Sequence, residues 1–387
     1  MGERMLLLTL ALGNFVLGTG AFVLPALLQP LASDLQVSLP AAGWLMSGYA
    51  LTYAVGSPLL TALTGRWQRR RVLLSGLALI ALGNALLALS PSLPLAHLGR
   101  IVSALGGALY TPIAASIAVA IAAPERRARA LALVFAGMTI AQVLGIPLGS
   151  LLATGLSWRA VFAVVALAAV AAFLVIQRRV PVDVAAPAST LAQLGALLRD
   201  PGAALALSVT LVFFAGQFVV ITFLGPVIST AAGVGGSGLA LLLWLFGVAA
   251  VVANLVGGAV SDRIGPAPTI MGLTLGSAVV LAVLPTLVDQ PAAAAACLVL
   301  WGLTGYAFMT PQQARLVGLM PWAPGLALSL NAAALYAGSA VGGAVGGAIV
   351  GRYGLAPLGL GGAALLGLSL LLLWASGRRL PVPEAGP

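Results

Sequence analysis

Apolar residues in this chain follow neither the two-residue alternation of a half-buried strand nor a one-faced helical stripe; they come in long, nearly unbroken runs. A helix needs about 20 apolar residues to cross lipid. In lipid every backbone polar group must be bonded within a helix or a closed barrel, and runs without alternation exclude the barrel. The pattern therefore predicts an all-α membrane protein. Twelve spans are placed near residues 5–30, 40–63, 72–91, 95–121, 130–154, 158–177, 203–230, 238–260, 269–288, 292–318, 324–350 and 355–376. The first run exceeds the roughly 7–15 apolar residues of a signal peptide, so it counts as a span. The longest polar stretch, rich in Pro and Ala, separates the sixth and seventh spans. It predicts a six-helix half over 1–177, a cytoplasmic linker over 178–202, and a second half with a short tail over 203–387.

Composition agrees with this reading and charge orients it. The chain is 61% hydrophobic and 7% charged, with a mean hydropathy of +1.12. Its 18 basic residues are all arginine, against 8 acids. With both termini cytoplasmic, only Arg100, Arg159 and Arg352 fall toward the outer face, and the positive-inside rule selects that orientation in a plasma (inner) membrane. The net charge of +10 then faces anionic lipid, and nothing else supports nucleic-acid binding. Cys297 is the one cysteine, so no intramolecular disulfide forms. An enzyme is disfavoured: the sequence shows no nucleophile–base–acid cluster, phosphate-cradling loop or metal-ligand set, and no cofactor is expected.

Arg66 and Arg263, Gly145 and Gly342, and Gly149 and Gly346 are each 197 residues apart. One offset shared by separate patterns indicates an internal duplication of the parallel kind found in secondary transporters. Gly137, Ala141, Gly145 and Gly149 recur every four residues, as do Gly338, Gly342 and Gly346. Such smooth stripes serve close helix packing, or a surface on which the two halves slide.

The segment GGAVSDRIG carries Gly258, Asp262, Arg263 and Gly265; RIVSALGGA begins at Arg100; GMTIAQVLGIPLGSLL carries Gly137, Gly145, Pro147 and Gly149. With these motifs the chain resembles the major facilitator superfamily over its whole length, and in particular the drug, sugar and purine efflux permeases of the antiporter branch. The resemblance implies the major facilitator fold, with twelve helices in two pseudo-symmetric halves. It also implies a conformational latch at Gly258, Asp262 and Arg263, with Arg66 at the equivalent place in the first half and Arg129 in support. Asp262 ends a helix, where the dipole disfavours a carboxylate, and so needs a donor; the resemblance implies that this donor comes from the opposite half. Its first-half counterpart is Gly65, which cannot ionise, so the latch is expected to be asymmetric. The sugar-efflux relatives often carry a glutamate at the position matching Ala21; here that acid is missing.

Glu3, Asp34, Glu125, Asp183, Asp200, Asp262, Asp289 and Glu384 all fall in tails, loops or helix ends. The one ionisable group predicted within a span is Arg100, about 9 Å along its helix from the outer end. Its acceptors are Asp34, helix-end carbonyls, or the substrate. Asp34 is the first candidate for carrying a proton and His97 the second, both on the outer side. Asn14, Tyr49, Tyr53, Gln142, Gln217, Trp301, Asn331 and Tyr336 join Arg100 as candidate substrate-binding residues, suited to hydrogen bonding and stacking with a neutral or weakly anionic solute such as a nucleobase, sugar or phenicol-like compound. Any of them can instead bond a neighbouring helix. The expectation is a monomeric secondary transporter that exports a small polar or drug-like solute by alternating access, coupled to proton entry. Uptake or uncoupled facilitation, and a non-transporting sensor, are the alternatives.

Overall fold

The structure, a computed structural model, describes residues 3–64, 67–122, 127–181, 195, 199–287, 289–319 and 324–378. Apart from turns, the described residues are helical, and ten helices are long and apolar enough to cross a membrane. The first half runs through α1 (Glu3–Phe22), α2 (Leu24–Asp34), α3 (Leu39–Leu63), α4 (Arg69–Ala88), α5 (Leu93–Ile121), α6 (Arg127–Ile140), α7 (Ile146–Gly155) and α8 (Trp158–Arg179). The second half contains α9 (Pro201–Ile221), α10 (Leu224–Ala232), α11 (Gly236–Ile264), α12 (Pro266–Val283), α13 (Pro291–Tyr306), α14 (Met309–Leu319), α15 (Pro324–Tyr353) and α16 (Leu358–Arg378). Most of the linker lies outside the described residues.

Four of the twelve predicted spans are broken. The first divides into α1 and α2, the seventh into α9 and α10, and the tenth into α13 and α14, while α6 and α7 are joined by a π-helical turn at Ala141–Gly145. The cause is proline. Pro25, Pro147, Pro226 and Pro311 lack the N–H that would bond the carbonyls of Ala21, Val143, Thr222 and Ala307, and each of those carbonyls falls in or beside a break. Pro58 and Pro112 stand within the unbroken α3 and α5, so proline alone does not mark the breaks in the sequence.

The halves meet chiefly through three helix pairs: α3 with α15, α2 with α10, and α7 with α11. The contact of α3 with α15 runs from Pro40 and Gly351, at the end opposite the chain termini, to Tyr53 and Tyr336, and those of α2 with α10 and of α7 with α11 lie toward that same end. There a single core draws on both halves, with Leu24, Leu27 and Leu31 beside Phe223, Val227 and Ile228. Close approach is built in: a Cβ on Gly225 would lie 2.6 Å from the Pro25 carbonyl, and one on Gly43 would lie 2.8 Å from the Phe223 ring. At the end bearing Arg69–Arg71, Arg178, Arg179 and Arg263 the core divides. Leu10, Leu73 and Ile117 belong to a first-half cluster, and Ala206, Leu316 and Ala327 to a separate second-half one. Among the described residues, then, the halves share one hydrophobic core at one end and have separate cores at the other.

The glycine stripes do not form that junction, which corrects the sliding-surface expectation. A Cβ on Gly137 would sit 2.0 Å from the Ala11 carbonyl, and Gly149 faces Val23, so this stripe packs span 5 on span 1 of its own half. Gly338, Gly342 and Gly346 face the carbonyls of Leu211, Ala215 and Val219, packing α15 on α9. The neighbouring face of α15 meets the other half instead: Gly343 lies against Ser47, and Gly347 and Gly351 against Pro40. The reason is geometric: i, i+4, i+8 positions share one helix face, and that face is turned inward to the half.

Candidate functional site

Arg100 is 1% exposed and faces the break in span 1. Its Nη1 donates to the Gly20 carbonyl at 2.8 Å, Nη2 to that of Ala21 at 3.4 Å, and Nε to that of Leu45 at 3.4 Å. Pro25 cannot bond the Ala21 carbonyl, and the guanidinium does so in its place. A cation at the C-terminal end of α1 also matches the sign of the helix dipole. The Tyr49 ring covers the other side, with its centroid 4.2 Å from the guanidinium carbon. Of the three acceptors open to Arg100, the structure selects helix-end carbonyls. Asp34 is engaged elsewhere: it forms an ion pair with Arg159 and accepts from the Trp158 indole at 3.2 Å, while Arg159 also donates to the Ser90 carbonyl at 2.9 Å. This cluster ties α2 to the start of α8. His97 is half-buried on α5, with its Nδ1 close to Gly48 of α3.

Tyr49, Tyr53 and Tyr336 form a stack, Tyr53 and Tyr336 having ring centroids 3.8 Å apart across the boundary between the halves. Beside it lie two adjoining hollows that share Phe22, Met46 and Phe218. Pro25, Ile221, Leu224, Phe246 and Tyr306 complete the first, and Ala21, Tyr49, Ala50, Leu335, Tyr336 and Ser339 the second. Together they make a narrow chamber between the halves where spans 1, 7 and 10 break, each hollow holding about 20 Å³, room for about one water. Among the described lining residues none carries a charge. Tyr49 and Tyr336 were expected at such a site; the aromatic wall of Phe22, Phe218, Phe246 and Tyr306 was missed, because in an apolar sequence a cavity-lining phenylalanine has the same signature as a lipid-facing one. The proline breaks were the available signal.

The amides lie elsewhere. Asn14 accepts from the Thr111 hydroxyl and donates to the Val134 carbonyl, both at 3.0 Å, joining spans 1, 4 and 5. In the second half Thr210 donates to Asn331 at 2.6 Å, and Gln312 bonds Thr210 at 3.0 Å and the Ala206 carbonyl at 2.9 Å, joining spans 7, 10 and 11. These are corresponding spans under the duplication, and Val134 and Asn331 stand 197 residues apart. Each half thus contains a polar knot that holds three of its helices together. Gln217 accepts from the Trp301 indole N–H, both side chains being buried behind the chamber wall. The side chains of Gln142, Asp262, Arg129, Gly145 and Pro147, and the whole of Arg66, lie outside the described residues. A Cβ on Gly258 would lie 3.4 Å from the Thr310 methyl, and Arg263 is exposed.

The model of the Major Facilitator Superfamily matches residues 10–321 and 207–387. The chain is 32% identical over 379 residues to the inner membrane transport protein YdhP of Escherichia coli (strain K12), covering 97% of this chain and 96% of that one. It is 33% identical over 350 residues to a chloramphenicol resistance protein of Streptomyces lividans, covering 89% and 88%. Among solved structures, a bacterial homologue of the human lysosomal transporter Spinster, in an inward-facing and unoccupied conformation, matches with a TM-score of 0.79 and 17% identity over 99% of this chain and 100% of that one.

Proposed function

The chain belongs to the major facilitator superfamily, and from that premise we propose that it exports a small, neutral, drug-like solute across the plasma membrane by alternating access. The observation that carries this reading is the chamber between the halves, closed at one end by a shared core and flanked at the other by separate cores. The arginine-rich end is assigned to the cytoplasm by the positive-inside rule, so the chamber is loaded from the cytoplasm in this conformation. The polar knots keep each half rigid, and the halves, bounded at 1–177 and 203–387, rock about the broken spans. The relative from Streptomyces lividans supports a drug-like cargo.

Arg100 is committed to the backbone of span 1 and to Tyr49, which removes the reason to expect an anionic solute. Proton entry drives the cycle in this reading, and Asp34 is the first candidate carrier: its protonation would release Arg159 and loosen α2 at the closed end. His97 is the second. The test is transport in inside-out vesicles and in proteoliposomes of defined orientation, with and without a pH gradient. Accumulation of an aromatic antibiotic that collapses with the gradient supports coupled export. Accumulation indifferent to the gradient overturns coupling, and absence of flux in either direction favours the sensor alternative.

A further inference from the structure

Three consecutive arginines, Arg69, Arg70 and Arg71, open α4. Cations at the N-terminal end of a helix oppose its dipole, and the first turn of α4 holds no acid to offset them. Nor do they belong to the duplicated plan, because the positions 197 residues later are Pro266, Ala267 and Pro268. The helix itself is not served by charges of this sign.

The end of α8 adds Arg178 and Arg179. Arg70 donates to the Gln177 carbonyl, which sets the start of α4 beside the end of α8, and Arg179 reaches the Met5 sulfur of α1 at 3.2 Å. Arg71 and Arg178 are exposed and are in no ion pair among the described residues. Each heads an exposed apolar stripe: Arg178 shares a face of α8 with Leu174, Ala171 and Leu167, and Arg71 shares a face of α4 with Ala78 and Leu82. Neither helix belongs to the pairs by which the halves chiefly meet, so these stripes face lipid. Trp67, 57% exposed just before α4, stands where interfacial tryptophans stand, at the level of the headgroups.

We infer that the adjoining ends of α4 and α8 bind an anionic phospholipid, its phosphate held by Arg71 and Arg178 and its acyl chains lying along the two stripes. A guanidinium bonds two phosphate oxygens at once, and the anion offsets the charge that the α4 dipole opposes. Basic groups between helices at the cytoplasmic face suit such a headgroup. A second copy of this chain, docked on the same face by two-fold symmetry, would set arginine against arginine, so charge complementarity selects the lipid. The site stands apart from the chamber, and its test needs no transport.

That test is native mass spectrometry of the full-length protein, titrated in detergent with equal amounts of phosphatidylglycerol and phosphatidylcholine of matching acyl chains. The wild type should retain phosphatidylglycerol in preference by about tenfold, equivalent to about 1.4 kcal/mol, and inorganic phosphate should not displace it. Arg71→Gln with Arg178→Gln should bring the ratio close to one. Arg199→Gln with Arg263→Gln removes the same charge from exposed positions at the same end of the molecule and should leave the preference intact. Equal retention of both lipids by the wild type, a preference that survives Arg71→Gln with Arg178→Gln, or an equal fall in both double variants overturns the site. Displacement by inorganic phosphate, or a two-chain species in place of the lipid adduct, overturns the lipid as its occupant. Should Arg71→Gln with Arg178→Gln fail to fold, phosphatidylglycerol carrying a diazirine on its acyl chain decides the matter on the wild type: crosslinks concentrated on α4 and α8 uphold the site, and crosslinks spread over all the lipid-facing helices overturn it.

Discussion

Arg100 donates to the carbonyl of Gly20 at 2.8 Å, across the point where the first span breaks. The charge is thereby spent on the fold: beside the Gly20 carbonyl it bonds that of Ala21, replacing the one hydrogen bond that Pro25 withdraws from α1. This buried arginine thus bonds the carbonyls at the end of α1 where the span breaks, beside the chamber.

Arg100→Ala should therefore lower thermal stability in detergent by several degrees, since each buried carbonyl left unpaired costs about 1–3 kcal/mol. Adding Pro25→Ala restores an N–H within reach of the Ala21 carbonyl and should recover part of the stability while abolishing transport, because span 1 closes into a straight helix. If Pro25→Ala gives no recovery in the Arg100→Ala background, the guanidinium is not replacing the missing amide.

The polar knots make a second prediction. Thr210→Val and Asn331→Leu, combined in a double-mutant cycle, should show a coupling of about 0.5–2 kcal/mol, the range for hydrogen bonds between membrane helices. Asn14→Leu with Thr111→Val should behave alike in the first half. Additive effects in both cycles would mean that the knots do not bind their halves together.

At the closed end, Gly225→Leu pushes a side chain into the Pro25 carbonyl and Gly343→Val into the Ser47 hydroxyl. Both should wedge the halves apart there and raise the labelling rate of a cysteine placed at Leu28 by about tenfold, a shift of about 1.4 kcal/mol in the conformational equilibrium. Gly338→Val, which strikes the Leu211 carbonyl within its own half, should cost stability without raising that rate.

Asp34→Asn should change stability by less than about 1 kcal/mol, since its ion pair with Arg159 is a third to almost half exposed and such pairs are weak. If Asp34 carries the proton, the same substitution leaves solute binding in place and removes the dependence of export on the pH gradient. Gradient-driven export that persists in Asp34→Asn, in His97→Gln and in the double variant excludes both residues as carriers.

Twelve spans and a duplicated plan were legible in the sequence because lipid imposes a length and a polarity on every crossing segment, and because Arg66 with Arg263 and Gly145 with Gly342 keep a common offset. Those are properties of single segments and need no knowledge of neighbours. Partners are another matter. Asn14, Asn331 and Gln217 look alike as isolated polar residues in apolar runs, yet two close the knots within the halves and one is buried against the Trp301 indole. Asp34 and Arg100, the natural pair by charge, are separated by the fold, one meeting Arg159 and the other the carbonyls of Gly20 and Ala21. The stripe that meets the opposite half is that of Gly343, Gly347 and Gly351, one residue along from the stripe that packs α15 on α9. A step of one residue turns a helix by about 100°, so the sequence determines which faces are smooth, and only the packing of all the helices decides what each face meets.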